Sequence, residues 1–187
     1  PGYGRSPTGT AEMTRFDMAQ ALWETLDEIY PGEPAVLVGC SVGASLVPHM
    51  YKLRPGKTSA MIVCGAGYRA PGEVSPHVQF YKDNGLSYRW DFTFKDFSAG
   101  FGATPMASYF ARLFTERDAF ADLPTILTQL AASRPAEEFF QTIDCPMIIL
   151  SGSEDGAHPG AFKLQKLVPR CEMKTLHGAG HACQLEQ

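Results

Sequence analysis

The sequence predicts an α/β protein: a mostly parallel sheet with helices on both faces, carrying a helical insertion. Short apolar, β-branched runs alternate with helical patterns at both ends of the chain, as parallel strands with helical crossovers require. Between those ends, residues 67–141 show helical patterns, no buried strand pattern, and 15 of the chain's 21 aromatic residues. The size agrees: 187 residues, 44 % hydrophobic and 19 % charged, suit one globular domain with an insertion.

Residues 1–13 are rich in Gly, Pro, Ser and Thr and read as loop. Thr14 and Asp17 form a capping-box-like start. Phe16, Ala19, Leu22 or Trp23, Leu26 and Ile29 then recur at helical spacing, until Pro31-Gly32-Glu33-Pro34 stops the helix. Residues 35–39 (AVLVG) are wholly apolar and read as a strand buried on both faces. Residues 43–53 read as a helix, with Pro48 as its weak point. Residues 59–64 form a second buried strand and 145–150 a third. Residues 159–167 follow as a helix, and 171–176 as a partly alternating fourth strand. Within the insertion, helical patterns fall near 106–115, 123–132 and 135–142.

Charge and composition exclude several function classes. The net charge is −4 and Lys and Arg form no run, so nucleic acid and anionic membranes are poor partners. No stretch approaches the ~18 apolar residues of a membrane span. The cysteines Cys40, Cys64, Cys145, Cys171 and Cys183 are odd in number, and no two stand in a C-x-x-C spacing. They read as small buried residues of a reduced, cytoplasmic protein rather than as metal ligands.

The chemistry lies in Gly39-Cys40-Ser41-Val42-Gly43, a G-x-S-x-G motif that directly follows a strand and opens a helix. Such a turn lifts a serine above the C-terminal edge of the sheet, and its glycines avoid collisions with neighbouring backbone. The helix start places the Val42 N–H where it can bind a developing oxyanion. A serine nucleophile needs a base, and the base needs an orienting acid. Asp155 fits as the acid, just past the strand at 147–150, and Glu154 beside it is a weaker rival. Asp144 precedes that strand and so lies at the wrong sheet edge. His181 fits as the base, behind the Gly178-Ala179-Gly180 turn after the fourth strand. His177 abuts the strand, His158 shares the acid's loop, and His49 reads as a surface or partly packed residue. His77 lies in the insertion.

Together these residues resemble the α/β-hydrolase superfamily. Pro1-Gly2-Tyr3-Gly4-Arg5-Ser6 is similar to its P-G-Y/F-G-x-S loop and 39–43 to its nucleophile elbow. Residues 149–159 are similar to its acid loop, and 178–181 to its G-x-G-H loop, with Leu185-Glu186 like the acidic stretch that follows. The resemblance implies a core at 1–66 and 142–187 and a cap at 67–141. It implies hydrolysis of an ester or lactone of a small, hydrophobic substrate through Ser41, Asp155 and His181, with no metal and no organic cofactor. Ser at position 41, where haloalkane dehalogenases and epoxide hydrolases carry Asp, disfavours those subfamilies. C–C bond hydrolysis, acyl transfer, a small-molecule receptor and a scaffold remain as alternatives. The first strands and the H-G loop with the second oxyanion donor have no counterpart here. Residues 1–187 are thus expected to be an internal stretch of a longer protein, unstable or inactive alone.

Overall fold

A computed structural model describes residues 13–73, 83, 96–117, 121 and 123–187. Four strands, β1 (Ala35–Cys40), β2 (Thr58–Cys64), β3 (Met147–Gly152) and β4 (Cys171–Leu176), form one parallel sheet in the order β1-β2-β3-β4. Helix α1 (Arg15–Ile29) precedes β1, α2 (Val42–Leu53) joins β1 to β2, and α7 (His158–Leu167) joins β3 to β4. Helices α3 (Ala99–Gly102), α4 (Pro105–Arg117), α5 (Leu123–Ala132) and α6 (Glu137–Gln141) lie between β2 and β3, and α8 (Cys183–Glu186) follows β4.

The capping box forms as its residues dictate. Thr14 Oγ1 accepts from the Asp17 N–H, and Asp17 accepts from the Thr14 N–H at 2.7 Å. The buried stripe of α1 keeps part of the expected one, Ala19 and Trp23, with Leu26 partly buried, but not the rest. Arg15, Met18, Ala19 and Trp23 are buried, whereas Phe16, Leu22 and Ile29 are exposed. The apolar spacing admits either stripe, and packing against α2 decides: Trp23 Nε1 donates to the Met50 carbonyl at 2.8 Å.

Two strand expectations are corrected. β3 runs two residues beyond the expected end, because β4 offers partners through Leu176, which pairs with Gly152. It also starts later, after Pro146, which has no N–H to donate. β1 is not buried on both faces. Leu37 and Gly39 point into the core, while Val36, Val38 and Cys40 are exposed. Leu37, Val63, Met147 and Ile149 pack against Trp23, Val47, Met50 and Leu164 in the main core, on one face of the sheet. On the other face Val38 pairs in register with Ile62, and Ile62 with Ile148. Val38 and Ile148 are exposed there, and β1 forms the sheet edge among the described strands.

The region between β2 and β3 reaches the site from two sides. Ala121, Ile126 and Leu130 pack with Met18, Leu46 and Val42. Phe97, Phe101, Phe110 and Phe114 gather around Ala107 and Ala182. The first cluster touches the residue after Ser41, and the second the residue after His181. The remaining aromatics of 74–82, 84–95 and 118–120 lie outside the described residues.

His49 corrects another expectation, since it is a core residue with 2 % exposure. Its ring packs between Phe16 and Phe139, at 4.8 and 4.7 Å, and Nδ1 lies 2.9 Å from the Ser45 carbonyl, to which it donates. Burial pushes its pKa down to about 4; the Ser45 bond opposes this and the Arg15 charge adds to it. A folded value below the unfolded ~6.5 means that the neutral ring stabilises the fold above pH 6.5. That contribution disappears as the pH falls from 6.5 towards 4. Denaturant titrations should therefore show the stability gap between wild type and His49→Gln shrinking by up to ~3 kcal/mol from pH 7 to pH 4. A pH-independent gap would refute this account.

Candidate active site

Ser41 sits between β1 and α2 with φ 53° and ψ −115°, the one non-glycine residue at positive φ among the described residues. A left-handed serine costs about 1 kcal/mol or more and persists only where its surroundings enforce it. Here they do: the Ser41 N–H donates to the Cys64 carbonyl at 2.9 Å, and the Ser41 carbonyl accepts from Ser45 N at 3.3 Å. The result is an exposed serine at the C-terminal end of β1. Val42 opens α2, so its N–H is one of the first-turn donors without an intrahelical acceptor. The collision argument for the elbow glycines holds at Gly39, where a Cβ would lie 2.5 Å from the Gly43 carbonyl oxygen. It fails for a Cβ on Gly43 itself, which would meet open space.

The acid and base come from the ends of β3 and β4. Asp155 follows β3 in a turn closed by Asp155 N–H to the Gly152 carbonyl (3.1 Å) and His158 N–H to the Asp155 carbonyl (2.9 Å). Its Oδ1 accepts from Ala157 N at 2.8 Å, and the residue is 7 % exposed. The loop after β4 turns at Gly178 with φ 74°. It is tied to the acid loop by Gly178 N–H to Ser153 Oγ (2.9 Å) and Glu154 N–H to the Ala179 carbonyl (2.9 Å).

These loops bring Ser41, His181 and Asp155 into one chain of contacts. His181 Nδ1 lies 3.0 and 3.1 Å from the two Asp155 oxygens, and Nε2 lies 2.8 Å from Ser41 Oγ. An ionised carboxylate only accepts, so Nδ1 carries the proton and the bare Nε2 accepts from the Ser41 hydroxyl. Burial by itself would lower the His181 pKa, but the Asp155 hydrogen bond and the charges of Asp155 and Asp96 outweigh it, so the value is raised. Asp96 is a residue that sequence reasoning missed. Its carboxyl pKa is pushed up to about 6 by burial, with His181 pulling it down and Asp155 pushing it up. No local pattern marks Asp96; only the fold brings it to His181.

A family model for the alpha/beta hydrolase family matches residues 1–187. The chain belongs to the alpha/beta hydrolase family. Solved structures agree with this α/β-hydrolase fold. Est816, described as an N-acyl homoserine lactone degrading enzyme, superposes with a TM-score of 0.81 at 18 % identity, over all of this chain and 75 % of that one. The enol-lactonase of Burkholderia xenovorans gives 0.80 at 16 % identity, over 99 % and 72 %. The esterase EaEST of Exiguobacterium antarcticum gives 0.79 at 18 % identity, over 99 % and 73 %. No curated protein sequence matches the chain.

In this α/β hydrolase the rival site residues fall elsewhere. Glu154 is exposed and accepts from Ala99 N at 3.3 Å. His158 starts α7 with Nδ1 2.9 Å from the buried Ser151 Oγ. His177 is exposed, and its carbonyl accepts from Gln187 Nε2. Asp144 precedes β3, with its N–H bonded to the Tyr51 hydroxyl. His77 and the loop at 1–6 lie outside the described residues. The expected burial of the cysteines holds for Cys64, Cys145 and Cys183, whereas Cys40 is exposed and Cys171 half-buried; all five are free thiols. Among the described residues no group of three or more His, Cys, Asp or Glu is placed to hold a metal ion. None of their helices is long and apolar enough to cross a membrane.

Proposed function

We propose that this α/β hydrolase is a serine esterase or lactonase, with Ser41 as nucleophile, His181 as general base and Asp155 as orienting acid. The observation that carries this is the Ser41–His181–Asp155 hydrogen-bond chain, which starts from an exposed, strained serine at a helix start. His181 Nε2 takes the Ser41 proton as Oγ attacks the substrate carbonyl. The Val42 N–H stabilises the oxyanion, and Asp155 stabilises the imidazolium. The imidazolium then protonates the leaving alcohol. In the second half-reaction His181 takes a proton from water as it attacks the acyl-enzyme, and the imidazolium returns that proton to Ser41 Oγ as the Oγ–C bond breaks and the acid is released. Residues 67–141 act as a cap over the site. A small hydrophobic carbonyl substrate is the class proposed, in keeping with the apolar cluster against which Val42, the residue after Ser41, packs. The solved lactonase and esterase structures with this fold support the same bond class.

The direct test assays the intact protein on short p-nitrophenyl esters and on simple lactones, alongside labelling of Ser41 by a fluorophosphonate. Absence of both turnover and labelling would overturn the reading. The acid limb of kcat/KM should lie above pH 6.5, because the raised His181 must lose its proton before it acts as base. Asp96→Asn removes one anionic neighbour that favours the imidazolium, so the limb should move to lower pH. A limb that stays in place or moves up would show that Asp96 does not act on His181.

A further inference from the structure

The Glu186 carboxylate bonds two stretches of chain that meet nowhere in sequence. Its Oε1 accepts from the Gly180 N–H at 3.0 Å and from the Ser98 N–H at 3.1 Å, and its Oε2 accepts from Ser98 Oγ at 2.5 Å. Gly180 immediately precedes His181. Ser98 caps α3 through Oγ, which accepts from the Phe101 N–H. The two backbones touch directly: a Cβ on Gly180 would lie 2.6 Å from Phe97 C and Ser98 N. On the other side of His181, the Ala182 N–H donates to the Asp96 carbonyl at 3.0 Å. The Ala99 N–H extends the same stretch to Glu154 in the acid loop. His181 is thus bracketed by bonds to 96–98 before and after it, and Glu186 closes the first of them.

We propose that Glu186 is a positioning residue: it pins the loop carrying His181 against residues 96–99, and so couples docking of that segment to the alignment of His181 between Asp155 and Ser41. The proposal rests on the reading of Ser41, His181 and Asp155 as the reacting groups. Without the carboxylate, the Gly180 and Ser98 N–H groups lose their common acceptor. The loop then loses the tie next to His181 while its other bonds remain, and a displacement of about 1 Å at a reacting group costs on the order of 10²-fold in rate.

The test uses the intact protein with Glu186→Ala, Glu186→Gln, Ser98→Ala and Ser41→Ala. Three quantities are read: kcat and KM on a short p-nitrophenyl ester, the thermal midpoint, and the downfield proton resonance of the His181 Nδ1–H···Asp155 bond. Glu186→Ala should lower kcat by ~10²-fold with KM little changed, and shift or broaden the resonance. Glu186→Gln keeps an oxygen for both N–H groups and should recover most of the rate. Ser98→Ala should lower kcat more mildly, and combining it with Glu186→Ala should cost no more than Glu186→Ala alone. A wild-type kcat and resonance in Glu186→Ala, with only a lower thermal midpoint, would overturn the proposal, as would Glu186→Gln behaving like Glu186→Ala. If Glu186→Ala does not fold, unchanged kcat and resonance in Ser98→Ala overturn it. Ser41→Ala should keep the resonance. A wild type without ester turnover, whose resonance is lost in Glu186→Ala but kept in Ser41→Ala, would refute the esterase reading and leave the positioning role standing.

Discussion

Ser41→Ala is expected to lower kcat for ester hydrolysis by ~10⁴-fold or more and to abolish fluorophosphonate labelling, while leaving the fold intact. Among the described residues the hydroxyl has one heavy-atom partner that can take its proton, His181 Nε2 at 2.8 Å. Alanine keeps the Cβ and therefore keeps the strain at φ 53°. Ser41→Gly removes both hydroxyl and strain, so it should be equally inactive yet more stable by about 1 kcal/mol in denaturant titration. Activity lost together with stability gained would identify this turn as one where strain is maintained for chemistry. Unchanged turnover in either variant would remove Ser41 from the mechanism.

Gly152→Ala is expected to be the most damaging single methyl group in the core of the site. A Cβ there would lie 2.1 Å from the Gly180 carbonyl oxygen and 2.2 Å from that of Ala179. Both contacts are backbone, so no rotamer change relieves them, and the histidine loop must move away from the end of β3. The expected cost is ~3 kcal/mol or more in stability, with kcat/KM falling in the fraction that still folds, because His181 moves with the loop. Gly156→Ala in the same acid loop is the control: its Cβ would meet open space, so stability and rate should stay near wild type. Equal behaviour of the two variants, read by denaturant titration and kcat/KM, would show that the packing of β3 against the histidine loop does not set the site.

The candidate triad was readable because each member has a local signature relative to a strand. Ser41 stands in a strand-to-helix turn, Asp155 just past a strand, and His181 after a glycine turn. In a parallel sheet all such positions converge on one edge, so chain-local patterns carry three-dimensional meaning. Asp96, Ser98 and the role of Glu186 were not readable in that way. They act through contacts between the insertion and the histidine loop, and no spacing rule links residues so far apart in sequence.

By itself, the sequence determined the order of the four strands and of the longer helices, the capping box of α1, and the strand-helix turn at Ser41; the short helices α3 and α8 were not readable. These are set by side-chain periodicity, caps and glycine placement within a few residues. The tertiary structure alone decided which stripe of α1 is buried, how far β3 extends, that His49 belongs to the core, and that one face of β1 is exposed. It also brought Asp96 beside His181 and the Glu186 carboxylate between Gly180 and Ser98. Each of these depends on which partner surface comes within van der Waals or hydrogen-bond reach. That is a property of packed elements, and a single segment's pattern is compatible with more than one such partner.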